Sequence, residues 1–316
     1  MPSATSLTKP NYAIIFIGPP GSGKTRCGLS FPKVMAITFD PVGLEIIFDP
    51  ANEKLKENLV WTVPMNGIPL DQVFKVTEEP SEESLYGAIA LAKRMKAEGK
   101  IETVLLDGTS YLADLKQEHV ADDRDTRAMY RQLGGYLSQF FLQNFLPLAV
   151  RHGLNVIMTC HLQRESNEAV EGVQDTSRKE YGASKPLINQ NSNLNAQIVG
   201  GFRHRISGMP SAVIYLSHRL EQATAKDVEA AKKTGQVVAE GAEILNYYAY
   251  CQKTFVKEWE SEVDAKNRYG LGPRIKMTNG NFYKTLLSKL PKASEANGNQ
   301  PSTPRAEAQL TAKGAK

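Results

Sequence analysis

Eight consecutive residues, Gly18-Pro19-Pro20-Gly21-Ser22-Gly23-Lys24-Thr25, satisfy the pattern G-x-x-x-x-G-K-[ST] in full. A run of this kind holds phosphate. Its glycines let successive backbone N–H groups turn inward around phosphate oxygens, and the helix that follows offers its positive end. Lys24 then reaches the β and γ phosphates, while the Thr25 hydroxyl is placed to bind Mg²⁺. Four constrained positions coincide by chance in about one chain per hundred of this length. Here the run also follows an apolar strand and opens into a helix, the context that a phosphate loop needs.

Hydrolysis asks for carboxylates at the same place. Asp107 ends the apolar run Thr103-Val104-Leu105-Leu106 and is the natural group to hold Mg²⁺ through water, joining Thr25 as the second metal residue. Gly108 follows it, where AAA+ ATPases and many helicases carry a glutamate that activates water. The base must therefore come from elsewhere, or phosphate must pass to another acceptor. Asp40 closes Val34-Met35-Ala36-Ile37-Thr38-Phe39 and is the candidate base, with Glu45 as the fallback. That assignment expects the Asp40 strand to lie next to the phosphate-loop strand, with Asp40 at the carboxyl edge of the sheet. No NKxD-like guanine reader is present, which disfavours a GTPase and leaves ATP with Mg²⁺ as the expected cofactors. A small-molecule kinase with an arginine-bearing lid stays open.

These groups need a scaffold that brings strand ends together. Ala13 to Ile17 and Val34 to Phe39 are wholly apolar runs that read as strands buried on both faces. Leu59 to Val63, Thr103 to Leu106 and Asn155 to Cys160 add three more. Ser81 to Glu98 reads as a helix capped by Ser81 and stopped by Gly99. Thr126 to Arg151 reads as a long helical stretch bent near Gly134-Gly135 and Pro147. Ser211 to Leu216 returns to strand character, Thr224 to Thr234 to a helix, Val237 to Cys251 to tyrosine-rich strands, and Phe282 to Leu290 to a helix. Strands alternating with helices predict an α/β fold, a P-loop NTPase whose mostly parallel sheet is flanked by helices.

The 316 residues are 41% hydrophobic and 23% charged, enough for a packed core and against wholesale disorder. Three separated cysteines, Cys27, Cys160 and Cys251, make neither a disulfide framework nor a zinc site, which fits a reducing cytoplasm. The chain shows no membrane-length apolar run and no apolar leader after Met1, so a cytoplasmic protein is expected. A net charge of +4 permits an anionic partner. The expected organisation is a disordered arm over 1–12, an ATPase domain over 13–290 with a long mobile loop at about 163–206, and a disordered tail over 291–316.

The order of phosphate loop, Asp40 strand, Asp107 strand and Cys160-His161-Leu162-Gln163-Arg164-Glu165 resembles the RecA/DnaB-type ATPase core. Within that class the pattern is most similar to phage-encoded, core-only RecA-like ATPases, including the single-strand-annealing recombination proteins. The resemblance spans roughly Ala13 to Leu290. It implies that His161 senses the γ-phosphate, standing where replicative helicases carry a glutamine. It also implies that Ala265-Lys266-Asn267-Arg268-Tyr269-Gly270 reaches a neighbouring subunit's nucleotide, with Lys266 and Arg268 neutralising charge in trans. Two departures stand out: Asp40 replaces the more usual glutamate, and 163–206 is unusually long.

The same resemblance implies self-association into a ring or filament, single-stranded DNA held by loops after the Asp107 and His161 strands, and replication proteins such as a single-strand-binding protein as partners. The second loop carries Arg178, Lys179, Lys185, Arg203 and Arg205 for phosphates and Tyr181 for base stacking, but also Glu165, Glu168, Glu171 and Asp175, which repel a backbone. The leading expectation is an ATPase acting on single-stranded DNA in phage recombination or replication, in the host cytoplasm. A nucleotide-dependent switch or loader that recruits a replication partner is the alternative, beside the kinase.

Overall fold

Alternation along the apolar strands decides the layering of the molecule. A computed structural model describes residues 11–40, 42–48, 52–121, 126–164, 194–198, 206, 208–233, 237–256, 259, 261–277 and 282–289. The strands are β1 (Ala13–Gly18), β2 (Val34–Thr38), β3 (Leu59–Pro64), β4 (Thr103–Asp107), β5 (Asn155–Arg164), β6 (Leu194–Ala196), β7 (Ala212–Gln222), β8 (Glu243–Tyr250), β9 (Thr254–Val256), β10 (Ser261–Val263), β11 (Lys266–Asn267) and β12 (Arg274–Met277). The helices are α1 (Lys24–Leu29), α2 (Glu53–Asn58), α3 (Leu70–Val73), α4 (Leu85–Ala97), α5 (Thr109–His119), α6 (Thr126–Gln139), α7 (Pro147–Arg151), α8 (Ala225–Lys233) and α9 (Phe282–Lys289).

The main sheet has the order β12-β8-β7-β1-β5-β4-β2-β3. From β7 to β3 every neighbouring pair is parallel, and β8 and β12 extend that edge antiparallel. Successive side chains point to opposite faces, so each central strand feeds two cores. Ile15, Ile37, Leu106 and Met158 pack with α4, α5 and α6; Phe16, Ala36, Leu105 and Ile157 pack with α1 and α9. On the second face the rings of Phe16 and Phe282 meet edge-on at 5.1 Å. The expected α/β class, a mostly parallel sheet flanked by helices, is what the chain adopts. Among the described residues no helix is long and apolar enough to cross a membrane.

Three local expectations change. The 81–98 helix begins at Leu85, because the Ser84 hydroxyl accepts the Gly87 N–H at 3.0 Å, while Ser81 accepts the Glu83 N–H outside the helix. The 126–151 stretch stays helical through Gly134-Gly135 and widens instead at Phe140–Phe145, a π turn marked by the bond from Leu146 N–H to Phe141 O at 2.9 Å. That wider turn brings Phe140, Phe141 and Phe145, all fully buried, onto the core side. Pro147 starts α7, where its missing N–H costs no helical bond. The third change concerns β2, which does not neighbour β1; β5 and β4 stand between them.

Candidate active site

All six parallel strands point their carboxyl ends to one edge, and the turn from β1 into α1 is the phosphate loop found in the sequence. Lys24 is buried there, its ammonium donating to the Gly18 and Pro19 carbonyls at 3.0 and 2.8 Å. Burial lowers its pKa, opposed by the negative charges of Asp107 and Asp40. An ammonium short of solvent and bonded, among the described residues, to two carbonyls is suited to take phosphate oxygens in exchange. The Ser22 hydroxyl, also buried, has no hydrogen-bond partner among the described residues.

Asp107 stands at the end of β4, buried across the loop from Thr25. The Thr25 hydroxyl donates to its carboxylate at 3.0 Å, and the Thr159 hydroxyl on β5 donates at 2.6 Å. Burial raises the Asp107 pKa, against the pull of those two hydrogen bonds and of Lys24. A hydroxyl and a carboxylate beside a phosphate cradle form the hard-oxygen set that Mg²⁺ accepts when phosphates complete its shell. No group of three or more His, Cys, Asp or Glu that could cage a metal exists among the described residues. Mg²⁺ would fit here together with a nucleotide's phosphates, with Thr25 and, through water, Asp107 as the residues that would hold it.

The neighbouring glycines decide where a base can stand. Gly108 has φ +88°, and a Cβ there would lie 2.9 Å from the Asp40 backbone N. No side chain fits at that point, so the base position next to Asp107 is closed. A Cβ on Gly43 would lie 2.5 Å from Asp107 Oδ2 and 3.0 Å from Asp40 Cβ. The segment after β2 thus comes up against Asp107 because it offers only backbone. Although β2 is three strands from β1, this close approach puts Asp40 in the wall of the same cavity.

That cavity, of about 340 Å³, is lined by Lys24, Thr25, Asp40, Asp107, Tyr111 and His161 among others. Asp40 Oδ1 accepts the Val42 N–H at 3.1 Å, which steadies the carboxylate on its turn. Glu45 is exposed on a 3-10 turn and does not line the cavity, so of the two candidate bases only Asp40 faces it. His161 sits on β5 with its backbone N–H donated to the Ser110 hydroxyl at 2.9 Å and its ring edge-on to Tyr111 at 5.5 Å. Burial, then the Lys24 charge, lowers the His161 pKa, with Asp40 opposing. A neutral ring can donate one N–H to a phosphate oxygen.

Lys266 and Arg268 lie elsewhere. β11 pairs with Ala212 and Val213, which in turn pair with Ile14 and with Ile15 at the start of β1. The Arg268 N–H donates to Ser211 O at 3.2 Å, and Tyr269 accepts the Ala13 N–H at 3.0 Å. The pair therefore occupies the amino edge, roughly 15 Å along the strand from this chain's own phosphate loop. Arg178, Lys179, Tyr181, Lys185, Arg203 and Arg205 lie outside the described residues.

Thr159, Tyr111, Gly43 and Tyr247 line or shape the cavity without having been singled out in the sequence. Thr159 and Tyr111 carried one available signal: each lies within four residues of a motif position. Gly43, three residues after Asp40, carried the same signal, although its role arises from a loop approach; Tyr247 carried none, because its role arises from a strand register.

No family model and no curated protein matches the chain. Among solved structures, the flagellar accessory protein FlaH from Methanocaldococcus jannaschii superposes with a TM-score of 0.33 at 10% sequence identity, covering 85% of this chain and 91% of that one.

Proposed function

We propose that this chain is a Mg²⁺-dependent ATPase of the RecA-like type that works on single-stranded DNA in phage recombination or replication, in the annealing manner. The observation that carries the ATPase reading is the bond between Thr25 and Asp107 inside the cavity that Lys24, Asp40 and His161 also line. In this reading the loop amides and Lys24 bind the phosphates, and Thr25 with Asp107 hold Mg²⁺. Asp40 orients and deprotonates water, and His161 reports the γ-phosphate. Bound Mg²⁺ supplies charge neutralisation on the phosphates.

Lys266 and Arg268, out of reach of their own loop, would serve the next subunit of a ring or filament. That arrangement makes turnover depend on assembly. Single-stranded DNA as partner rests on the resemblance and on the cations and tyrosine of the 163–206 segment.

ATPase rate with and without single-stranded DNA, measured alongside particle size, tests the proposal. Hydrolysis stimulated by single strands, with stimulation that falls steeply as salt rises, supports it. Hydrolysis indifferent to DNA at low salt overturns the DNA reading. Loss of all nucleotide binding in Lys24→Ala is expected, and nucleotide binding that survives it would overturn the ATPase reading itself.

A further inference from the structure

Past the phosphate loop, β7 and β8 continue as a two-stranded arm. β7 pairs with β1 only as far as Tyr215, whereas Leu216 to Gln222 pair with β8 alone. The arm therefore runs about 20 Å beyond the carboxyl edge of the sheet. Register puts Tyr247 opposite His218 and Leu245 opposite Leu220, so these four side chains share one face.

That face stands against the loop. Tyr247 lines the phosphate cavity, and its ring lies 3.5 Å from the point where a Cβ on Gly23 would stand. His218 Cε1 lies 3.9 Å from the corresponding point on Gly21. Two features of the face have no use among the described residues. His218 Nδ1 is buried with no hydrogen-bond partner among the described residues. Leu220 and Leu245, cross-strand partners, are 64% and 46% exposed. An aromatic ring at the cavity wall and adjoining aliphatic surface match the chemistry of a flat heteroaromatic ligand.

Strand order says which end of a nucleotide arrives there. Asp40, Asp107 and His161 stand at the ends of β2, β4 and β5, all on one side of β1, and β7 and β8 stand on the other. A triphosphate with its γ-phosphate among the first three groups directs its α-phosphate, and hence its sugar and base, toward the arm. Tyr111, the other tyrosine of the cavity wall, sits against His161 at the γ end.

We propose that the β7–β8 arm is the base platform of the nucleotide site: the base stacks on Tyr247, with its outer part over Leu220 and Leu245. This rests on the nucleotide-binding reading above and adds where the base lies and how it is held. Stacking on a face reads area rather than an edge pattern, so the arm holds the base of a nucleotide while leaving the phosphates to the loop.

Equilibrium binding of ATP and of inorganic triphosphate, each with Mg²⁺, to the full chain and to Tyr247→Leu and Tyr247→Phe separates the two readings. Tyr247→Leu should weaken ATP by about 5- to 100-fold, the range for losing one base–aromatic stack, and leave triphosphate within about twofold. Tyr247→Phe, which keeps the ring, should restore ATP affinity to within about threefold of the parent. ATP affinity unchanged in Tyr247→Leu overturns the platform while nucleotide binding stands. Equal weakening of ATP and triphosphate also overturns it, since Tyr247 would then shape the loop. If the parent chain binds neither ligand, the nucleotide reading fails and the platform with it.

Discussion

The Thr159 hydroxyl donates to Asp107 Oδ1 at 2.6 Å and accepts the Gly108 N–H at 2.9 Å, so one side chain of β5 clamps both the carboxylate of β4 and the turn behind it. Two residues further along β5 stands His161. The strand that carries the proposed γ-phosphate sensor therefore also aims the proposed Mg²⁺ carboxylate. Any movement of β5 at its carboxyl end is felt at both.

Removing that clamp should separate positioning from folding. Thr159→Val keeps the shape and loses the hydrogen bonds to a charged group, so the Mg²⁺ concentration for half-maximal hydrolysis should rise about tenfold or more. Thr159→Ser should restore it. A Mg²⁺ titration of ATPase rate in the two variants checks this, and an unchanged Mg²⁺ requirement in the valine variant would remove Thr159 from the site.

Asp107 should cost the protein stability at neutral pH. Burial raises its pKa in the folded state, outweighing the bonds from Thr159 and Thr25. A group with a raised folded pKa stabilises most when protonated, at low pH, and that stabilisation is lost as pH rises through the folded value. At pH 7 any ionisation of the buried carboxylate is therefore a burden in the nucleotide-free protein. Asp107→Asn should raise the thermal midpoint there by about 2–5 °C. The gap should shrink as pH falls into the carboxylate range, while Mg²⁺-dependent hydrolysis is lost. Thermal melts of both proteins across pH give the answer, and a lower midpoint for Asp107→Asn at pH 7 contradicts the sign.

Asp40 and Glu45 are distinguished by their surroundings. Asp40→Asn should reduce turnover by about 10²- to 10⁴-fold with ATP affinity little changed, the usual range for losing a general base. Glu45→Gln, on an exposed turn outside the cavity, should leave turnover within about twofold. Single-turnover hydrolysis in the two variants decides between them.

Arg268 at the amino edge makes a stronger demand. Arg268→Ala should keep ATP binding and lower turnover by about 10³-fold, as for a cation supplied to a neighbour. Mixing Arg268→Ala with Lys24→Ala subunits should recover activity, because an intact loop of one variant then meets an intact cation of the other. Mixtures no more active than either parent would count against supply in trans.

Much of the site was readable from residue types alone, because its chemistry is local to strand ends. Gly18 to Thr25 encode their own turn through glycine spacing, and Asp107, Asp40 and His161 announce themselves as polar residues closing apolar runs. The same apolar runs made the parallel α/β sheet legible, since only strands covered on both faces read as unbroken hydrophobic stretches. Helix ends were harder: Ser81 and Ser84 are equally good caps in sequence, and only the N–H of Gly87 chose between them. The widening at Phe140–Phe145 was hidden because three buried rings, rather than a glycine pair, set it.

The chain by itself determined that a glycine-rich G-x-x-x-x-G-K-[ST] turn opens an α/β sheet, and which carboxylates stand at strand ends. Tertiary structure alone decided that β2 lies three strands from β1 and yet delivers Asp40 to the cavity, because Gly43 and Gly108 let that turn reach Asp107. It also decided that Tyr247 rather than Tyr248 faces the loop, since strand register assigns neighbouring side chains to opposite faces. Strand order and register depend on pairings between residues far apart in the chain, and no local spacing records them.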